Sequence, residues 1–130
     1  MTSKVQIRWA DEDGYGHVNN AVYLNYLEEA RDRLMDELFL DAAFDLVIVH
    51  VGIDYRAEIT ARDREVEVES RLVGYSTSSV RTAEVIRRLD GTVAAEAETV
   101  LVPRSADKTG SRPLTADERG RLDQWLECTR

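Results

Sequence analysis

Apolar and polar positions change period three times along the chain, and each change marks a new element. Residues 4–9 (Lys-Val-Gln-Ile-Arg-Trp) alternate polar and apolar and put Val5, Ile7 and Trp9 on one side. That predicts a short strand with one buried face. Residues 10–17 are polar and glycine-punctuated, which reads as a loop. The period then lengthens. Tyr23, Leu27, Ala30, Leu34 and Leu38 recur at spacings of four and three, with Glu28, Arg31, Asp32 and Asp36 on other faces. With Asn19 or Asn20 as N-cap, a helix from Asn20 to Phe39 would be about 30 Å long.

Beyond residue 45 the strand period returns. Leu46 to Ile59 opens on four consecutive apolar residues, which predicts a central strand. Residues 65–69 (Glu-Val-Glu-Val-Glu) alternate strictly, and Val80 to Leu89 and Thr92 to Val102 read as two further strands. Asp90-Gly91 signals a two-residue hairpin with positive φ at both central positions. Gly74 to Ser78 makes a looser turn, and Thr115 with Glu118 has capping-box spacing for a short last helix. The apolar stripe of the long helix needs a sheet to cover it. The expected fold is α+β: one domain over residues 1–130, a five-stranded antiparallel sheet wrapped around one long helix, plus a short C-terminal helix.

Composition narrows the function classes. Of 130 residues, 43% are hydrophobic and 32% charged, the balance of a soluble domain with its own core. No apolar run could span a bilayer, and Met1 to Val5 does not begin a signal peptide. Cys128 is the only cysteine, so no internal disulfide is possible and a cytoplasmic location is expected. A net charge of −8 argues against nucleic acid as a partner. It leaves room for an anionic small molecule on a local arginine group drawn from Arg56, Arg62, Arg64, Arg71, Arg81, Arg87 and Arg88. Most of these are expected to be solvated strand residues.

The chemistry concentrates in residues 9–20 (Trp-Ala-Asp-Glu-Asp-Gly-Tyr-Gly-His-Val-Asn-Asn), where carboxylates, a histidine and two glycines feed a helix start. A helix N-terminus presents unpaired N–H groups and partial positive charge. A thioester carbonyl bound there would have its developing oxyanion stabilised by about 3–4 kcal/mol. A neighbouring carboxylate can attack that carbonyl or activate a water. Two histidines and a lone cysteine fall short of a zinc site, no Gly-x-Ser-x-Gly elbow occurs, and no cofactor is called for.

The segment resembles the Asp-x-Asp-x-x-Gly-His-Val-Asn-Asn signature of the 4-hydroxybenzoyl-CoA thioesterase-like hot-dog hydrolases, and also the His-Val-Asn-Asn region of acyl-ACP thioesterases. Weaker likenesses run through Tyr55, Gly74 to Ser79, Asp90-Gly91, Glu96 to Pro103 and Arg112-Pro113. The resemblance implies an acyl-CoA thioesterase with Asp13 as catalytic carboxylate, the Asn20 amide as oxyanion donor and Gly16 allowing close approach of the acyl chain. It also implies a homodimer or a tetramer built as a dimer of dimers, with pockets shared between chains. Asp11 is expected to be a turn anchor. His17 is either the base or a pocket and orienting group, and His50 a core histidine. Tyr23 reads as core or substrate contact. Glu28 orients His17 or a water, or pairs with Arg31 at helical spacing. Ser78 and Ser79 contact the thioester region or simply form a strand-entry turn. The stretch Arg56 to Asp63 departs from the family pattern and keeps only its aspartate. Three functions follow as alternatives: an acyl-CoA hydrolase, an acyl-ACP hydrolase, and a non-catalytic acyl-binding module.

Overall fold

A computed structural model describes residues 1–39 and 45–128, and the side chain of Cys128 lies outside that description. The elements are β1 (Thr2–Gln6), α1 (Asn20–Leu38), β2 (Leu46–Tyr55), β3 (Glu65–Tyr75), β4 (Val80–Arg88), β5 (Val93–Pro103) and α2 (Ala116–Cys128). All strand pairs are antiparallel and the sheet order is β1-β3-β4-β5-β2. This is the hot-dog arrangement expected of the chain. α1 lies on β1 and β3 and touches α2. Among the described residues, no helix is long and apolar enough to cross a membrane.

The stripe on α1 does what its spacing predicts: Tyr23, Leu27, Ala30, Leu34 and Leu38 are all buried. They fall into two apolar clusters. One packs Tyr23, Leu27 and Ala30 on Val66, Val68 and Ile86; the other packs Leu34 and Leu38 on Leu72, Val80, Leu114 and Leu122. On every element the residues separating the clusters are polar: Arg31 on α1, Ser70 on β3, Thr82 and Glu84 on β4, and Thr99 on β5, all buried. Arg31 Nε donates to Glu84 Oε1 at 3.0 Å and its Nη2 to Thr99 Oγ1 at 3.1 Å. Arg31 is therefore not on a wet helix face, and it does not pair with Glu28. Thr115 and Glu118 form the reciprocal cap of α2, at 2.8 and 3.1 Å.

Four other expectations are corrected. β1 stops at Gln6, and Trp9 enters a 3-10 turn (Trp9–Asp11) with its side chain 86% exposed. The turn reverses the chain before alternation can bring Trp9 back to the sheet. β2 is an edge strand, ending at Tyr55, and His50 on it is exposed rather than core. Its apolar run marks a strand with two faces to cover, but this chain pairs only one edge, and Val47, Ile48 and Val49 stay exposed. The β4–β5 connection runs over four residues, Leu89 to Thr92, closed by Arg88 N–Thr92 O and Gly91 N–Arg88 O bonds of 2.9 Å each. Only Gly91 takes positive φ there (+89°), as in a loop that ends on a glycine bulge.

Candidate active site

The loop between β1 and α1 is built on Asp11. Its carboxylate accepts from the Arg8 N–H (2.9 Å), Arg8 Nε (3.2 Å) and the buried Tyr26 hydroxyl (2.8 Å). Its own carbonyl takes the Asn19 N–H at 3.0 Å. Burial and this carboxylate push the Tyr26 phenol up, so the hydroxyl remains a donor. Asp11 is thus the anchor that the sequence suggests. Glu12, not singled out by the motif, fixes the other side of the loop by accepting from the Ala61 N–H at 2.6 Å. The aspartate retained in the divergent stretch, Asp63, closes the turn after β2 by accepting from Thr60 N–H at 2.9 Å.

Between these anchors, Asp13 and His17 face each other across a tight bend. The Asp13 N–H donates to the His17 carbonyl at 2.9 Å, and Gly16 turns the chain with φ +84°. No atom of this chain beyond its neighbours lies within 4 Å of where a Gly16 Cβ would be, and the positive φ by itself calls for glycine here. Asp13 Oδ1 accepts from the Tyr15 N–H at 2.8 Å, and Oδ2 is 3.5 Å from His17 Nδ1. The Val18 carbonyl also faces His17 Nδ1, at 3.4 Å. Two acceptors around Nδ1 favour a proton there and leave the Nε2 lone pair available. The Tyr15 ring, 87% exposed, stacks on the imidazole at 6.4 Å.

α1 begins beside this bend. Asn19 is its N-cap, with Oδ1 accepting from Ala21 N–H at 2.9 Å. The Asn20 N–H has no acceptor among the described residues, as expected for the first residue of a helix. Asn20 lies on a shallow cleft of about 430 Å³ that is also lined by His17, Tyr23, Tyr55, Arg56 and Glu58. The Tyr55 hydroxyl donates to the Asn20 carbonyl at 2.8 Å, and the Tyr23 hydroxyl to the Ala57 carbonyl at 3.2 Å. Burial pushes the Tyr23 phenol up. A helix start, an imidazole and a polar rim therefore meet in one chain.

The other sequence-nominated residues sit elsewhere. Asp13 does not line the cleft; it reaches it through His17. Glu28, two turns along α1 or about 12 Å from Asn20, lines a separate groove of about 690 Å³ together with Asp32, Met35, Ile48 and Leu101. Burial and the neighbouring Glu28 and Asp36 push the Asp32 carboxyl up. Ser78 and Ser79 lie in the β3–β4 turn, where Ser79 bonds Ser76 and Thr77 accepts from Leu114 N–H. That turn belongs with the cluster holding the far end of α1, so one chain does not bring these serines to Asn20. Sequence reasoning gave Tyr55 no site role and passed over Glu58. Among the described residues no group of three or more metal-ligating side chains occurs.

Comparison with known proteins adds the following. The family model of the thioesterase-like superfamily matches residues 7–126. Long-chain acyl-CoA thioesterase FadM of Escherichia coli is 30% identical, covering 98% of this chain and 100% of that protein. The L-carnitine dehydrogenase/betainyl-CoA thioesterase of Agrobacterium fabrum is 32% identical over 88% of this chain, which spans only 26% of that longer protein. A Thermus thermophilus thioesterase solved with coenzyme A and zinc superposes with a TM-score of 0.83 at 33% identity, over 97% of this chain and 94% of that one.

Proposed function

Since the chain belongs to the thioesterase-like superfamily and is a thioester hydrolase, we propose that it cleaves acyl-CoA to a free acid and coenzyme A at the cleft where α1 begins. The observation that carries this reading is that Asn20, whose N–H has no acceptor among the described residues, lines the same cleft as His17, which is backed by Asp13. The thioester oxygen lies against the Asn20 N–H, where negative charge develops as the carbonyl is attacked. Asp13 supplies the essential carboxylate. It either attacks the carbonyl carbon to give an anhydride, which water then opens, or holds His17 so that Nε2 takes a proton from the attacking water. The thiolate of coenzyme A leaves in both routes.

Coenzyme A as carrier is supported by the coenzyme A complex of the Thermus relative. Its phosphates are assigned to Arg62 and Arg64. Both are exposed and, like Arg71 and Arg81, have no carboxylate partner among the described residues, whereas Arg56, Arg87 and Arg88 are committed to Glu96, Glu69 and Asp90. What sets Arg62 and Arg64 apart is their place by the loop before α1. Arg62 lies in, and Arg64 caps, the turn that Glu12 ties to that loop. The free β2 edge, with Val47, Ile48 and Val49 bare, is assigned to a second copy of the chain, giving a homodimer or a dimer of dimers. Such a copy is also the route by which Glu28, Ser78 and Ser79 would meet substrate.

Thiol release measured on one acyl group carried by coenzyme A and by acyl carrier protein tests the carrier; faster release from the protein carrier would overturn the assignment. Single-turnover hydrolysis in oxygen-18 water separates the routes. Label in Asp13 requires the anhydride with water opening it at the aspartyl carbon; label in the released acid alone fits either direct attack by water or opening at the acyl carbon.

A further inference from the structure

Two tyrosines tie the start of α1 to the end of the free-edge strand, and they do so reciprocally. Tyr55, the last residue of β2, donates its hydroxyl to the carbonyl of Asn20, the first residue of α1. Tyr23, one turn into α1, donates its hydroxyl to the Ala57 carbonyl just past the end of β2. The rings meet edge to face with centroids 5.0 Å apart and planes at 73°. Tyr23 is 2% exposed and must find a partner, but Tyr55 is 42% exposed. A phenol so open can bond water at little cost, so burial does not force the bond to Asn20. Its effect is on the helix. Terminal turns fray. The ties on the N-terminal side of α1 reach Asn19, through its cap on the Ala21 N–H and its own N–H on the Asp11 carbonyl, whereas Tyr55 grips Asn20 itself.

Resting on the hydrolase reading above, we propose that Tyr55 is a positioning residue for the reaction. By gripping the Asn20 carbonyl it fixes the first turn of α1, and with it the direction of the Asn20 N–H. Tyr55 itself lines the cleft but makes its contribution through Asn20. The same bond makes the oxyanion donor depend on β2, the strand offered to a second copy, so assembly and catalysis share one structural element. Misplacement by about 1 Å at a reacting centre can cost about 10²-fold in rate. Loss of one tie from a turn that stays helical displaces the N–H by less, and a fall of about tenfold in kcat is expected.

Tyr55→Phe keeps the ring against Tyr23 and removes only the donor. The expected result is kcat down about tenfold, KM within twofold, and an unchanged unfolding midpoint and oligomeric state. Hydrogen exchange should accelerate across the peptide holding Ala21 to Leu24. Wild-type kcat in this variant overturns the proposal, and so does a loss that appears in the unfolding midpoint alone. A wild type releasing no thiol from any acyl-CoA would instead defeat the hydrolase reading; the exchange data would then judge the tie by itself, and normal exchange would overturn that too.

Discussion

Deleting Arg31 and neutralising Glu84 should have different costs, although the two form one buried ion pair. Their side chains are 4% and 0% exposed, and Glu84 Oε2 has no partner among the described residues. Burial pushes the Glu84 carboxyl above its ordinary value of 4.5, against the opposing charge of Arg31 and hydrogen bonds from Arg31, Thr82 and Thr99. A raised folded value has a definite sign. The stability this group contributes is complete below 4.5 and is lost as pH rises through the folded value. Glu84→Gln removes the charge but keeps an acceptor for Arg31 Nε. Arg31 keeps its hydrogen bonds but loses its counter-ion, so the variant should cost about 1–3 kcal/mol at pH 8, less than the loss of the cation, and should lack that pH-dependent loss. Arg31→Met leaves a carboxylate buried without its cation, and should cost about 3–5 kcal/mol at pH 8. The cost should shrink toward pH 5 as the carboxyl protonates. In the Arg31→Met background, Glu84→Gln should then stabilise, the mark of coupled neighbours. Urea unfolding of the four proteins at pH 5 and pH 8 reads all of this. Equal costs for the two single variants at pH 8, or a double variant no better than Arg31→Met, would refute the reasoning.

Two further outcomes are expected. Arg62→Ala with Arg64→Ala should raise KM for acyl-CoA about tenfold at low salt, narrowing as salt screens the exposed charges, with kcat retained; a KM unmoved at low salt would remove these arginines from the nucleotide site. Val49→Lys, on the free edge, should give a monomer by light scattering and lower activity, because a charged lysine blocks strand addition; an oligomer of unchanged mass would place the interface elsewhere.

The helix was legible because its stripe is continuous and its cap is local: Asn19 and five apolar residues define it without help from the rest of the chain. The loop before α1 was legible as a candidate site for the same reason, since Asp11, Asp13, His17 and Asn20 lie within one segment whose contacts are mostly internal. Arg31 was not, because its partners Glu84 and Thr99 are 53 and 68 residues away and a charged residue beside an apolar stripe reads as wet. β2 misled through its composition. An apolar run reports how much surface must be covered and says nothing about which chain covers it. Tyr55 carried no local signal either, since a hydroxyl reaching a helix carbonyl 35 residues away leaves no periodicity. Ser78 and Ser79 were placed by likeness alone, and only the sheet topology reveals their distance from Asn20.

Asp13→Asn bears most directly on the chemistry. The amide retains an oxygen for the Tyr15 N–H, so the bend around Gly16 should survive and the folded protein should be recovered intact. Steady-state thiol release from the best acyl-CoA of a broad panel should fall by about 10²–10⁴-fold in kcat, the range for loss of a positioned acid–base group. Turnover by the folded variant equal to that of wild type would mean that the carboxylate beside the helix start does not perform the cleavage.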